Sequence, residues 1–151
     1  MSHSPREPFL PLIRLLAQTY QAFEQFSAGH IRQLGLTPPQ FDVIATLGNT
    51  SGMSCKELSE KTLITKGTLT GVVDRLTDKG LVRRVPMEHD RRSVFIMLTP
   101  EGEDLFTRVF PAHIGYMSKA FAAFSHEELD SCIAELSHLR NAFSAAMEQQ
   151  S

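Results

Sequence analysis

The chain is short of the residues that enzymes, secreted proteins and membrane proteins depend on. Its 151 residues include two cysteines, Cys55 and Cys132. They stand far apart, neither belongs to a CxxC pair or to the Cys/His spacing of a zinc site, and reduced thiols are expected. There is no run of about 18 apolar residues to span a bilayer. The opening MSHSPREPFLP lacks the apolar stretch of a secretory signal, so a cytoplasmic protein without a membrane partner is expected. Convergent acids, a nucleophile with its base and a phosphate-cradling loop are all missing. The six histidines are scattered, and His126 with His138 has no cysteine or carboxylate at ligand spacing. The expectation is therefore a protein that is not an enzyme and needs neither metal nor cofactor.

What the chain does have is material for a core. Hydrophobic residues make up 42% of it, enough at this length for one domain, or for one compact domain with further helices for pairing. That content excludes a disordered chain. The net charge is only −2, which argues against a polyanionic partner until the charges are mapped. Residues 52 to 99 carry nine basic side chains against six acids, a local +3, and the remainder carries −5. A positive middle lies between acidic ends, and a polyanion responds to the local field.

Helix starts are legible where a side-chain oxygen precedes an acid or amide by three positions, because the first turn leaves amide groups unpaired. Thr37 with Gln40, Ser54 with Glu57, and Ser125 with Glu128 fit, and Thr99 opens a helix through Pro100 at the first position. Thr65 with Thr68 offers a fifth start. From about Pro8 to Leu34, Leu12, Leu16, Tyr20, Phe23 and Ile31 recur at a helical period and predict one long helix. From about His126 to Met147, Leu129, Ile133, Leu136, Phe143 and Met147 form a second stripe. Both ends thus offer apolar faces that need a partner. Pro111 predicts a kink or a brief interruption in the helix that starts at Pro100.

In the middle the period changes. After Gly80, a helix stop, LVRRV precedes the turn-rich PMEHDRRS, and Val94, Ile96 and Leu98 then alternate with Phe95 and Met97. This predicts a two-stranded hairpin with a charged tip. Short helix, turn, second helix and hairpin is the order of a winged helix-turn-helix, so the expected class is mainly α with a small β-hairpin wing.

The second helix of that motif lies in LITKGTLTGVVDRLTDKGLVRR, Leu63 to Arg84. Leu69, Val72, Val73 and Leu76 make its inward stripe. Thr65, Lys66, Gly67, Thr68, Thr70 and Gly71 make an outer face of hydroxyls, one cation and two positions where the backbone can come close. Such a face suits a major groove, where bulky apolar groups would waste contacts with base edges. The alternative is a poor helix whose glycines admit a neighbouring helix. The wing favours the first reading. Asp90, Arg91 and Arg92 at its tip, with Arg83 and Arg84 on the incoming strand, place guanidinium groups where they can enter a minor groove or grip phosphate. Asp90 reads as their orienting partner.

Three stretches, LTPPQFDVIATL, SCKELSEKTLITKGTLTGVVDRLTDKGLVRR and HDRRSVFIMLTPEGEDLF, resemble the MarR family of bacterial transcription regulators, in order and without large gaps, from about Leu36 to Phe106. The DxR wing tip followed by LTPEG is a combined signature, whereas the flanking helices match in apolar character alone. The resemblance implies a single MarR-type domain over 1–151, with 36–99 as the DNA-binding core and 8–35 and 100–147 as dimerisation helices. It also implies a homodimeric repressor whose two winged domains bind a pseudo-palindromic site on double-stranded DNA in adjacent major grooves. Carried over by position, Thr65 to Gly71 lie on the recognition helix and Ser54 caps the preceding helix near phosphate. Arg92, the Arg of DxR, is the wing residue for the minor groove, and Arg91 and Arg84 are further phosphate contacts. Arg75, with Asp74 and Asp78 as neighbours, is either a phosphate contact or half of an internal ion pair.

Members of this family commonly release DNA when an aromatic carboxylate or phenolic compound binds between the helical dimer region and the winged domain. A ligand does so only by preferring one spacing of the two recognition helices. Arg14, Tyr20, His30 and Tyr116 are the residues suited to an anionic aromatic effector, with core or interface packing as the alternative for each. Cys55 lies in a first helical turn, where amide dipoles favour the thiolate; it is either a redox-sensitive group or a small half-buried side chain. The family's peroxide-sensing branch carries its cysteine in the N-terminal helix, and residues 1 to 54 contain none. A protein-docking winged helix is the remaining alternative, and it would need neither the slim helix face nor the cationic wing.

Overall fold

The computed structural model describes residues 7–87 and 90–150, and its description of side chains leaves out 87 and 90–93. The chain divides into a larger unit ending at Tyr116 and a smaller one beginning at Met117.

The larger unit opens with α1 (Leu10–Gln33), which buries only Ile31. Gly35, at φ 84°, turns the chain back in a conformation that costs glycine little. α2 (Pro38–Leu47) starts on a full capping box: Thr37 Oγ1 accepts from the Gln40 N–H at 3.3 Å, and Gln40 Oε1 accepts from the Thr37 N–H at 3.1 Å. β1 (Met53–Ser54) leads into α3 (Cys55–Thr62), capped by Ser54 Oγ accepting from the Glu57 N–H at 3.2 Å. α4 (Lys66–Asp78) follows Thr65, whose hydroxyl donates to Thr68 Oγ1 at 3.3 Å instead of capping an amide. The fifth expected start is in place, without its cap.

β2 (Val82–Met87) and β3 (Asp90–Leu98) form the antiparallel wing, with Val82 opposite Leu98 and Arg84 opposite Ile96. The expected hairpin is the larger part of a three-stranded sheet, because β1 pairs with Phe95 and Ile96 of β3 on its other side. Two residues are too few for an alternating pattern to register in sequence.

α5 (Pro100–Met117) gives LTPEG its physical content. Thr99 Oγ1 accepts from the Gly102 N–H at 3.1 Å and donates to the Gly80 carbonyl at 2.6 Å, which fastens the start of α5 to the end of α4. Gly102 lies so close to the Leu81 backbone that an added Cβ would stand 2.0 Å from its carbonyl oxygen. Gly102→Ala is expected to destabilise the protein by about 2 kcal/mol or more, seen as a lower urea midpoint; an unchanged midpoint would contradict this close approach. The helix continues through Pro111, so the interruption expected there does not occur.

Val43, Ile44 and Leu47 of α2, Leu58 of α3, and Leu69, Val73 and Leu76 of α4 close on Val82 and Ile96 of the wing and on Phe106 and Val109 of α5. Full burial of such side chains contributes about 1.5–3 kcal/mol each. The core therefore fixes α4 and the root of the wing against each other and leaves α4 one free face.

The smaller unit holds a short 3-10 turn (Ser118–Phe121) and α6 (His126–Glu148), which starts on a second capping box, from Ser125 and Glu128. α6 has no buried residue, and its Ile133, Leu136, Phe143 and Met147 are exposed. On α1, Leu12, Tyr20 and Phe23 are exposed as well. No helix of the described residues is long and apolar enough to cross a membrane.

Candidate nucleic-acid interface

α4 sorts its residues by size. Leu69, Val73 and Leu76 are buried, while Thr65, Lys66, Gly67, Thr68, Thr70 and Gly71 are all exposed. A Cβ added at Gly67 or Gly71 would meet nothing within 4 Å. Glycines that admit a neighbouring helix are thereby ruled out within the described residues. Each glycine costs a helix about 1 kcal/mol relative to alanine, and the buried stripe offsets that cost.

The threonines divide the polar work. Thr68 accepts from Thr65, so its own O–H remains to donate outward. Thr70 donates to the Lys66 carbonyl at 3.0 Å, so its lone pairs remain to accept. Beside them, a cleft of about 410 Å³ separates this face from Thr37, Pro39 and Gln40 at the start of α2, with Arg75 on its rim.

Arg84 of β2 forms an ion pair with Asp74 of α4, through Arg84 Nη2 and Asp74 Oδ1. Consecutive helix residues point about 100° apart and do not face each other, which is why Asp74 serves the wing instead of Arg75. Arg75 is exposed and has no ion pair among the described residues. Ser54 is half-buried, its hydroxyl occupied by the Glu57 amide. Cys55 is exposed, not half-buried, and both it and Cys132 are free thiols. The backbone of Asp90, Arg91 and Arg92 begins β3, and their side chains lie outside the described residues.

A second constellation joins α1 to α5. The Nδ1 atoms of His30 and His113 lie 3.0 Å apart, so one ring donates and the other accepts, and Ser27 Oγ lies 3.2 Å from His113 Nε2. His30 stacks on Tyr116 at a centroid distance of 4.2 Å, and Phe41 meets His113 edge-on at 4.6 Å. Of the four effector candidates, His30 and Tyr116 come together in this packed junction. Arg14 and Tyr20 are exposed along α1. His113 was absent from the sequence candidates, because its polar partners stand 83 and 86 positions away and leave no local pattern.

Burial first, and then the neighbouring His30, holds the His113 pKa below its ordinary value. The native state takes up this proton less readily than the unfolded chain. Stability that is fully present above about pH 6.5 is therefore lost as pH falls below that value towards the depressed native pKa. The thermal midpoint is expected to be lower at about pH 5.5 than at about pH 7.5, and His113→Gln should narrow the gap. An equal gap in both proteins would show that His113 plays no part.

Comparison with known proteins follows the same geometry. A family model described as "MarR family" matches residues 34–93, from the end of α1 into β3. The HTH-type transcriptional regulator MhqR of Bacillus subtilis is 30% identical over 126 residues, which cover 83% of this chain and 87% of MhqR. The chain belongs to the MarR family. The HTH-type transcriptional repressor YetL of Bacillus subtilis is a further relative, 30% identical over 135 residues that cover 88% of this chain and 78% of YetL. Among solved structures, BpsR of Bordetella bronchiseptica superposes with a TM-score of 0.79 at 25% identity, over 91% of this chain and 98% of BpsR. This MarR-family chain is thus a winged helix-turn-helix, DNA-binding regulator of transcription, and its relatives are transcriptional regulators.

Proposed function

We propose that the chain is a homodimeric repressor that sets α4 of each protomer into adjacent major grooves of a pseudo-palindromic operator and leaves it when a small aromatic effector binds. The slim face of α4 carries this reading: open space over Gly67 and Gly71, with an outward donor at Thr68 and an outward acceptor at Thr70. Lys66 and Arg75 flank that face as phosphate contacts, and Ser54 places the start of α3 near the backbone. Arg84, held by Asp74, sets the wing against the recognition helix, and its contact with phosphate is made from that position. The tip, with Asp90, Arg91 and Arg92, reaches the minor groove through Arg92. Residues 36–99 form the DNA-binding core, and 8–35 with 100–147 hold the dimer through the apolar faces of α1 and α6. The repressor assignment is supported by YetL, and the effector by BpsR, whose DNA binding is regulated by 6-hydroxynicotinic acid.

Selection of bound fragments from random duplexes supplies the operator. Thr68→Ala and Thr70→Ala are each expected to cost about 1 kcal/mol or more on that operator and to leave non-specific binding nearly unchanged. Arg92→Ala is expected to weaken both, because a backbone and minor-groove contact positions more than it reads. Two threonine variants that keep the wild-type ratio of specific to non-specific affinity would refute the role given to α4.

A further inference from the structure

Leu63 is 89% exposed, more than any other large apolar side chain among the described residues. The rest of that exposed set lies at positions 9–23 and 114–147, in the segments given to the dimer. Within 36–99 Leu63 stands alone, on the turn between α3 and α4. Its backbone is unusual as well. At φ 63° and ψ 17° it occupies the left-handed region, where a Cβ crowds the following carbonyl oxygen. Asn49, the other non-glycine residue at positive φ among the described residues, is of a type that enters this region more readily. Four hydrogen bonds hold the turn. The Leu63 N–H donates to the Ser59 carbonyl at 2.9 Å, and the Ser59 hydroxyl donates to the Ile64 carbonyl at 2.6 Å. The Thr62 hydroxyl donates to the Leu58 carbonyl at 2.6 Å and accepts from the Ile64 N–H at 3.3 Å. Ile64 itself packs against the core. Strained residues persist where their surroundings over-determine them, and these surroundings hold a leucine out in solvent. Glycine would fit the same turn without strain and without an apolar side chain to expose. The folded domain by itself therefore gains nothing from leucine here.

The turn leads directly into the recognition helix. Leu63 stands two residues before Thr65, at most about 7 Å along the chain. Lys61, Thr65 and Lys66, on either side of it in sequence, are exposed. Leucine has no donor or acceptor to offer phosphate. The apolar group that a major groove presents is the 5-methyl of thymine.

We propose that Leu63 covers the methyl group of one thymine in each half of the operator and so helps to choose the sequence that is bound. The proposal rests on the reading of α4 given above. There Thr68 and Thr70 read hydrogen-bonding edges, and Leu63 adds an apolar contact at the end of the helix that enters the groove first. Apolar area leaves water on both sides of the contact only when the base is thymine. Cytosine in its place presents an amino group, which a leucine would bury without a partner.

Deoxyuridine in place of each thymine of the selected operator, in turn, removes the methyl and keeps the base pair. At one thymine in each half-site, replacement in both halves is expected to weaken binding by the full chain about threefold or more, roughly the worth of one buried methyl. Leu63→Gly is expected to bind the unmodified operator about tenfold or more weakly, to be indifferent to that replacement, and to keep its non-specific affinity. Its thermal midpoint should be kept or raised, because glycine relieves the left-handed turn. Leu63→Met, which stays apolar, should keep the dependence on the methyl. A Leu63→Gly protein that binds the operator as tightly as wild type would overturn the proposal and assign the exposed leucine to a protein partner. A deoxyuridine scan with the same profile in both proteins would overturn it too. Thr68→Ala separates this failure from a wider one. If that variant loses operator preference and Leu63→Gly does not, the reading of α4 stands and the assignment of Leu63 falls; if neither loses it, both fall.

Discussion

A chain ending at Ser125 is expected to be monomeric and to bind its operator roughly 10²–10⁴-fold more weakly than the full chain, the advantage that two tethered half-sites bring. The deletion removes α6, whose Ile133, Leu136, Phe143 and Met147 are between 48% and 64% exposed in the single chain. Each contributes about 1.5–3 kcal/mol on full burial, and a two-fold interface engages the set twice. With about half of that surface still to be covered, the gain is on the order of 10 kcal/mol, comparable to the estimated 4–15 kcal/mol cost of association. Loss of α6 therefore decides whether the pair forms. The larger unit keeps its own core, so the shortened chain has what it needs to fold. Light scattering reads the outcome. A truncated protein that stays dimeric would place the interface elsewhere and refute the role given to α6.

Local chemistry was the legible part of this fold. Thr37, Ser54, Thr99 and Ser125 each accept from an amide three residues on, as their spacing indicates, because a helix start is decided within one turn. The inward stripe of α4 was equally plain, since Leu69, Val73 and Leu76 share one face at a helical period. Contacts between distant segments were not. β1 exists only because β3 is there to pair with it, and Asp74 finds Arg84 across the turn that follows α4. His30 and His113 meet through helix packing alone. The effector candidates were chosen by residue type. The fold leaves Tyr20 exposed along α1 and sends His30 to a packed junction with Tyr116 and His113.

Affinity for the selected operator, measured against salt, tests DNA binding through α4 and the wing most directly. Lys66, Arg75, Arg91 and Arg92 from each of two protomers stand to displace counterions from phosphate, and Arg84 adds to them from the root of the wing. With on the order of six to ten phosphate contacts per dimer, affinity is expected to fall by about 10³-fold or more between about 50 and 200 mM salt, along a straight line in the logarithms. The overall charge of −2 gives no hint of this slope; the +3 of residues 52–99 does. A steep line would confirm a winged helix that holds duplex DNA by its basic middle. A flat titration would contradict it and turn the same fold into a platform for another protein.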